Sequence, residues 1–425
     1  MKSDEPHPSG LDQRAQDELR GNLRRLVSDT LLGLRQAQGL RTDVQTSGWG
    51  FEHFLEGAYQ AAMNTASFRA VIDVVRRDET LRRNLLVRDS SGDPLPAGEE
   101  ELGFGHQRIK PFLRHYLARN RSLKWDEAVF DQVFADLLTY LKHPFVAVEE
   151  IAPLLGFSTT LGSIEFSETV QIRRLSDDEK TAATGRVPPI PGLPVGPNLL
   201  DMAFSNYAIT VDGQIPKNGP VSNQGFKEVD DVLTTLRLYQ DAWVGTSSRW
   251  FEATTPTFQH IEAFRGSVRS SLWMPFGEYQ VDGADVPRLI ELYEWVAAMP
   301  ETGPLRTPIR RLNQSYDRPS DEDRLIDYWI ALESLFLDDQ GELTYKASIR
   351  IARLVGDDLT TRKAIKKQIS ASYSERSKVV HGKATRWDLR EVAAETGQVL
   401  RTAIQRWLDP AFSSSIEEIE DEFFN

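Results

Sequence analysis

The sequence predicts a mainly α-helical protein with an α+β middle domain and an antiparallel helical bundle at its C-terminal end. Three observations lead to this prediction. Apolar residues recur at helical spacing up to about residue 145, partial strand-like alternation and dense proline follow, and helical spacing returns after Pro304. A chain of 425 residues is also too long for one ordinary core. We therefore divide it into 1–145, 146–300, 301–411 and an acidic tail, 412–425.

The first 145 residues are expected to form α-helices. Leucine and valine recur at helical spacing over 11–39, which predicts a long amphipathic helix ended by Gly39. Pro144 is expected to stop the last helix of this part, because proline lacks the amide hydrogen that a helix interior needs. The further helices are expected over 51–66, 71–86, 107–120 and 125–141.

The middle domain, 146–300, is expected to combine a small sheet with helices and is a candidate sensor. Asp212-Gly213 is a turn signal, and the proline-rich stretch 175–200 is typical of a connector. Glu149 and Glu150 are adjacent acids that we expect to be solvated. Strands are expected over 163–167, 170–173, 207–211 and 272–281, and helices over 226–239 and 286–299.

This middle domain is rich in aromatic side chains, which leaves two interpretations open. Such residues pack the core of a sheet, and they can also stack on nucleic-acid bases or bind a partner. They are Trp243, Trp250, Phe251, Phe258, Phe264, Trp273 and Phe276.

The C-terminal domain is expected to be a bundle of four helices. Ser320 and Asp323 form a capping-box-like start for a helix that runs to about Leu337. The next helix should end near Gly356, and two more are expected over 360–371 and 387–408. The short linkers between these helices predict antiparallel packing.

Composition narrows the class of protein. The chain has no cysteine, which excludes disulfides, thiolate metal sites and a cysteine nucleophile and favours a reducing compartment. The N-terminus carries acids and prolines instead of an apolar signal sequence, and no segment is long and apolar enough to span a membrane. We therefore expect a cytoplasmic protein that does not engage membranes.

The charge is distributed unevenly. The whole chain has a formal net charge of −13, yet residues 341–390 hold twelve Lys and Arg against five Asp and Glu. This window is therefore +7 and the remainder −20. A basic face on an acidic protein suits a phosphate backbone, although a solvated helix face is the alternative. The candidate phosphate-binding residues are Lys363, Lys366, Lys367, Lys383 and Arg386.

Arg376 and His381 are the candidate catalytic residues. Arginine binds phosphate with a planar fork, and histidine transfers protons near neutral pH. Arg108 and His115 form a competing pair at similar spacing, in which we expect His115 to be a partly exposed structural residue. The basic context favours Arg376 and His381, and a structural pair at a helix end remains the alternative. Ser377, Lys378, Glu333 and Tyr373 are candidate supporting residues; Glu333 either lies at the surface or holds a basic side chain.

Two sequence blocks carry a resemblance to a known family. They are Trp329-Ile-Ala-Leu-Glu333 and Arg376-Ser-Lys-Val-Val-His-Gly382, in that order. Over about the last quarter of the chain, this order resembles HEPN domains, in particular the ApeA-like branch of bacterial antiphage proteins. The segment Gln171-Ile-Arg-Arg-Leu-Ser-Asp-Asp-Glu179 also resembles the middle region of longer ApeA-like proteins.

The resemblance implies a HEPN bundle acting as a metal-independent endoribonuclease in antiphage defence. His381 would act as general base on a ribose 2′-OH or as acid on the leaving 5′-oxygen, and Arg376 would hold the phosphate. The expected product is a 2′,3′-cyclic phosphate, with no metal or cofactor needed. The implied partners are RNA, a second copy of the chain that completes the site, and a phage-derived trigger. The implied outcome is abortive infection, in which RNA cleavage stops growth.

A second hypothesis is a catalytically silent HEPN module that binds RNA, nucleotide or a phage protein. Many HEPN nucleases carry Asn or Asp directly after the arginine, and this sequence has Ser377. The overall acidity of the chain also favours this alternative.

Overall fold

The computed structural model describes residues 11–38, 48–86, 95–180, 204–217, 225–246, 249–259, 279–300, 302–337 and 343–412. The protein is mostly helical, with an antiparallel sheet in the middle of the chain and helices at the C-terminal end, which confirms the predicted fold class at this level. The chain divides into two compact units. One comprises Met1–Glu149, Asp212–Ser222 and Phe251–Ala263, and the other Glu150–Val211, Asn223–Trp250 and Phe264–Asn425. The four-part division made from the sequence stays a prediction.

The first unit contains the N-terminal helices. Side-chain caps set two of their boundaries, because Thr65 accepts from the Phe68 amide and Asp78 from the Leu81 amide. The single helix predicted over 71–86 is therefore wrong: Asp78 is extended and separates two helices. The helices are α1 (Gln13–Gln38), α2 (Gly48–Met63), α3 (Ala66–Arg77), α4 (Glu79–Leu85), α5 (Ala97–Phe104), α6 (Lys110–Asn120) and α7 (Glu127–Lys142), with a π-helical turn at Gly105–Ile109.

The sheet is built around a strand that the sequence did not reveal. This strand is β1 (Phe145–Leu155), and the order in the larger sheet is β3-β4-β5-β1-β6, with β7 also paired to β1. The predicted turn at Asp212-Gly213 is wrong, because both residues lie inside β5. The other strands are β2 (Phe157–Thr159), β3 (Ser163–Glu165), β4 (Val170–Arg174), β5 (Phe204–Pro216), β6 (Gly245–Thr246), β7 (Trp250–Ala253) and β8 (Tyr279–Val281).

Strand register agrees with burial of one sheet face. β4 and β5 are antiparallel, with Ile172 opposite Ile209 and Val170 opposite Val211. All four side chains are buried, so this register places apolar residues on the same side. β2 and β8 form a separate parallel pair. The predicted strand over 272–281 is described only from Tyr279 onward, and most of the proline-rich stretch lies outside the described residues.

The second unit contains the C-terminal helices. Ser320 accepts a hydrogen bond from the Asp323 amide, as the capping pattern predicts. The basic helix Leu359–Val380 is longer than the predicted 360–371 and includes Arg376. The helices are α8 (Lys227–Tyr239), α9 (Val286–Ala297), α10 (Arg306–Ser315), α11 (Asp321–Phe336), α12 (Leu343–Val355), α13 (Leu359–Val380) and α14 (Leu389–Leu408).

One hydrophobic cluster holds these helices together. Leu238, Trp243 and Leu292, which precede residue 300, belong to the same cluster as Trp329 and Leu400. The helices after residue 300 therefore share their core with earlier segments, and functional tests require the full chain. No described helix has the length and apolar character needed to cross a membrane.

Candidate active site

The C-terminal end of α13 carries the predicted catalytic pair. Arg376 lies in the last turns of the helix, and His381 caps it. Gly382 adopts a φ of 62°, which a residue without Cβ reaches at little steric cost. The Lys383 amide donates to the Lys378 carbonyl at 2.8 Å, and the Gly382 amide donates to the Val379 carbonyl at 3.0 Å. These are the two hydrogen bonds of a Schellman motif. The side chain of His381 is left exposed at the end of a basic helix.

Arg376 lies on the inner side of α13, against α11. Its Nη2 atom lies 3.4 Å from Glu333 Oε2, and its guanidinium carbon lies 5.8 Å from the centre of the Tyr373 ring. The Nε atom is buried and has no hydrogen-bond partner among the described residues. A charge-assisted hydrogen bond is normally closer to 2.8 Å, so the hold of Glu333 on Arg376 is loose. Of the two alternatives for Glu333, the structure therefore shows a contact with a basic side chain.

A buried hydrogen-bond chain fixes how α13 faces its neighbours. Trp329 Nε1 on α11 donates to Ser372 Oγ at 2.9 Å, and Ser372 Oγ lies 2.6 Å from Thr396 Oγ1 on α14. The rings of Trp329 and Tyr373 meet edge to face at 4.9 Å. Rotation of α13 would leave these buried polar atoms unpaired. The hydrogen bonds between Trp329, Ser372 and Thr396 therefore keep Arg376 directed at α11.

Glu375 is an important residue that the sequence reasoning missed. It is 2% exposed and accepts from Lys378 Nζ at 2.6 Å and from the backbone amide of Arg386 at 2.9 Å. Burial alone would raise the pKa of Glu375, but these two hydrogen bonds outweigh burial and lower it. Glu375 therefore ties the loop that follows His381 back onto α13. The signal available in the sequence was an acid inside a basic run.

Replacing Glu375 by glutamine should destabilise the second unit by about 1–3 kcal/mol at neutral pH, because two partly buried hydrogen bonds lose their charged acceptor. The contribution of the Glu375 carboxylate to the free energy of unfolding should be complete above the ordinary glutamate pKa of 4.5. It should disappear as pH falls through the lowered pKa of the folded state. Thermal unfolding of both forms at neutral and acidic pH measures this. Glu395→Gln, at an exposed position of α14, is the matched control. An equal loss of stability in Glu375→Gln and Glu395→Gln would contradict the role of Glu375 as an anchor for the loop.

The predicted phosphate-binding residues fall into two groups. Lys383 and Arg386 are exposed in the loop that follows His381. By contrast, Lys363, Lys366 and Lys367 lie roughly 13–20 Å from Arg376 along the helix axis. Lys363 and Lys367 are exposed, and Lys366 Nζ lies 5.0 Å from the centre of the Tyr345 ring. The structure thus places the first group in the loop next to the candidate pair and the second group farther along α13.

The two residues that follow Arg376 are also placed by the helix. Ser377 is half-buried, and its carbonyl accepts from the His381 amide at 3.1 Å. Lys378 is held by Glu375. Lys378 is therefore neutralised within the chain and is less available to an external phosphate than Lys383.

The competing pair, Arg108 and His115, is structural. Arg108 is buried and donates through Nε to the Leu85 carbonyl at 3.1 Å. His115 is half-buried, and its Nε2 lies 2.8 Å from the Thr257 carbonyl oxygen. Burial lowers the pKa of His115. This pair lies inside the first unit and presents no open phosphate site.

The described aromatic residues of the middle region serve the core. Trp243, Trp250, Phe251 and Phe258 are all buried, whereas Phe264, Trp273 and Phe276 lie outside the described residues. The expectation that Glu150 is solvated is wrong. Glu150 is fully buried, accepts from the Phe226 amide and has Arg249 Nη1 at 3.8 Å. Burial raises its pKa to about 7.

Within the described ranges, no group of three or more His, Asp or Glu side chains is arranged to hold a metal ion. Comparison with protein-family models, curated proteins and solved structures gave no match. The function is therefore inferred from the residues themselves and from the resemblance of the two sequence blocks.

Proposed function

We propose that the chain is a metal-independent HEPN endoribonuclease of the ApeA-like type, with Arg376 and His381 as its catalytic residues. The observation that carries the proposal is an exposed histidine at the end of a basic helix, one turn beyond an arginine with a loose internal partner. Lys383 and Arg386 add positive charge in the adjoining loop. The helix end therefore carries a proton-transfer group and a permanent cation, the two components that metal-free cleavage of a phosphodiester requires.

In the proposed reaction, the 2′-oxygen of a ribose attacks the adjacent phosphorus and the bond to the 5′-oxygen breaks. His381 removes the proton from the 2′-OH or supplies one to the leaving 5′-oxygen, and solvent takes up or supplies the other proton. Arg376 leaves Glu333 to bind the phosphate and stabilises the charge that develops on its oxygens. The product is a 2′,3′-cyclic phosphate and a free 5′-OH.

A second copy of the chain is part of the proposal. Residues five apart on one helix differ by about 140° in direction, so Arg376 and His381 of one chain do not point to one phosphate from the same side. Two copies that face each other would place the arginine of one near the histidine of the other. We propose a homodimer in which RNA lies between the two motifs.

The biological role that fits this activity is antiphage defence in the cytoplasm through RNA cleavage that stops growth. An unregulated ribonuclease would kill its host, so a phage-derived trigger is proposed as a further partner. The sensing function is assigned to the segments that precede the helical bundle.

The alternative is a catalytically silent HEPN module that binds RNA, nucleotide or a phage protein. A specific observation favours it: the two cations within the motif, Arg376 and Lys378, both have acidic partners within the chain. A site whose cations are already paired is better suited to recognition or assembly than to fast catalysis.

Cleavage of end-labelled RNA by the full chain in EDTA separates these functions. We expect cutting in EDTA, 2′,3′-cyclic phosphate ends, and no cutting of 2′-O-methyl RNA, which lacks the attacking hydroxyl. Cleavage that disappears in EDTA and returns with Mg²⁺ would contradict the metal-independent mechanism. Intact RNA under all conditions, including with phage lysate as a source of trigger, would favour the silent module.

A further inference from the structure

One tryptophan next to the candidate site is held in solvent. Trp387 is 62% exposed, whereas the other tryptophans with described side chains are buried or half-buried. Tryptophan is strongly buried on average, because its large apolar surface is costly to hydrate. The exposure of Trp387 is therefore a feature that requires an explanation.

The loop that carries Trp387 is fixed at both ends. On one side, the Arg386 amide donates to the buried carboxylate of Glu375 at 2.9 Å. On the other side, Asp388 caps α14 by accepting from the Arg390 amide at 2.9 Å. Both chain neighbours of Trp387 are thus hydrogen-bonded, and its ring is presented by an ordered backbone.

The first of these hydrogen bonds ties the loop of Trp387 to the end of α13 that carries the candidate catalytic pair. Arg386 bonds to Glu375, the residue that precedes Arg376, so the loop returns along the last turns of α13. Trp387 follows Arg386 directly, and His381 begins the same loop. The backbone of Trp387 therefore follows directly on a residue bound to the last turns of α13, and His381 is six residues away along the chain.

The neighbours of Trp387 favour a nucleic acid over a protein as its partner. Lys383, Arg386 and Arg390 are exposed on the loop and on the first turn of α14, and His381 is exposed with them. Tryptophan and arginine also occur at protein interfaces, but lysine is depleted there. An aromatic ring among cations, lysine included, is the usual platform for single-stranded nucleic acid. The cations would bind phosphates while the ring stacks on a base.

We propose that Trp387 is a stacking platform for a base of single-stranded RNA beside the phosphate that is cleaved. This proposal rests on the proposed ribonuclease function and adds to it the substrate class and a residue that positions the substrate. Bases in an RNA duplex are already stacked inside the helix, so they are not available to the ring. The site should therefore distinguish unpaired from paired RNA.

The test measures binding separately from cleavage. A dye-labelled single-stranded 2′-O-methyl oligonucleotide cannot be cut by the proposed mechanism, and fluorescence anisotropy reports its affinity for the full-length chain. We expect Trp387→Ala to bind roughly ten- to hundredfold more weakly than the wild type. Trp387→Phe keeps an aromatic face and should retain most of the affinity. Leu359→Ala removes an equally exposed apolar side chain at the far end of α13 and should bind like the wild type.

Three outcomes would overturn the platform. One is an unchanged affinity in Trp387→Ala, and another is an equal loss of affinity for duplex RNA. The third is a change of oligomeric state in Trp387→Ala by sedimentation, which would assign the ring to a contact between proteins. Unfolding curves of the three variants establish that they are folded.

Cleavage of ordinary RNA by the same preparations distinguishes failure of this proposal from failure of the proposed function. Binding that depends on Trp387, without any cleavage by the wild type, would support the platform and contradict the nuclease. Cleavage by the wild type, with binding indifferent to Trp387, would support the nuclease and contradict the platform.

Discussion

His381→Ala and Arg376→Ala are each expected to reduce RNA cleavage by at least about a hundredfold, the usual effect of losing a general acid–base or a charge-stabilising group. His381 is exposed and its ring has no described hydrogen bond, so its loss should leave the unfolding curve unchanged. Arg376 contacts Glu333 and Tyr373, and its loss should cost little stability because the Glu333 contact is long. Cleavage rate and unfolding, measured on the same samples, check both statements.

His381→Ala and Arg376→Ala should differ in their affinity for RNA. Arg376→Ala should weaken binding of the uncleavable 2′-O-methyl oligonucleotide, because a phosphate contact is lost, whereas His381→Ala should bind normally. Arg376→Lys keeps the charge without the planar fork and should recover binding more than cleavage. His53→Ala, at an exposed histidine of α2, is the control for histidine loss. A rate equal to wild type in either site variant would move the active site elsewhere.

The length of α13 shows where local sequence stops being informative. The predicted helix ended near residue 371, and the stretch beyond it holds Ser372, Ser374 and Ser377, which form helices less readily than alanine or leucine. In the structure the helix continues to Val380, and the buried Ser372 hydroxyl bonds to Trp329 and Thr396. Contacts with α11 and α14 thus override the helix propensity of this stretch. They leave Arg376 partly buried against α11 and His381 exposed.

β1 and Glu150 show the same limit in the sheet. β1 contains Pro153 and two adjacent acids, a composition that argues against a buried strand. Burial of Glu150 depends on the amide of Phe226, 76 residues later, and on Arg249. No spacing rule within a short window connects these residues. Most of the helices and the Ser320 cap were accessible from the sequence, whereas the Asp78 cap and the pairing of buried charges were not.

Lys217 is a buried cation with no anionic partner in the part of the chain that the structure describes, and it provides the second large expected effect. Its side chain is 5% exposed, and its Nζ lies 4.0 Å from the centre of the Tyr140 ring without a hydrogen-bond partner among the described residues. Burial lowers the pKa of Lys217 to about 7, and the nearby Arg108 lowers it further. At neutral pH the folded protein must therefore either bury a charge or release a proton.

The sign of the pH dependence follows from this lowered pKa. Below about pH 7 both the folded and the unfolded states hold the proton, and the folded state bears the full cost of burial. Between about pH 7 and the ordinary lysine value of 10.5, the unfolded state binds the proton and the folded state does not. Lys217 therefore makes the first unit more stable as pH rises through this range.

Lys217→Met should raise the free energy of unfolding of the first unit by roughly 3 kcal/mol at neutral pH, since each pKa unit corresponds to about 1.4 kcal/mol and the lost cation–π contact offsets part of the gain. Methionine keeps an unbranched apolar chain against Tyr140, so packing is largely preserved.

The gain in stability of Lys217→Met over the wild type should shrink as pH is raised toward the ordinary lysine pKa, because the wild type then recovers stability. Denaturant unfolding of the full chain at several pH values, followed by a probe in the first unit, measures both effects. Lys142→Met, at the exposed end of α7, should change little. An unfolding curve of Lys217→Met that matches wild type at every pH would mean that the ammonium is hydrated and pays no burial cost.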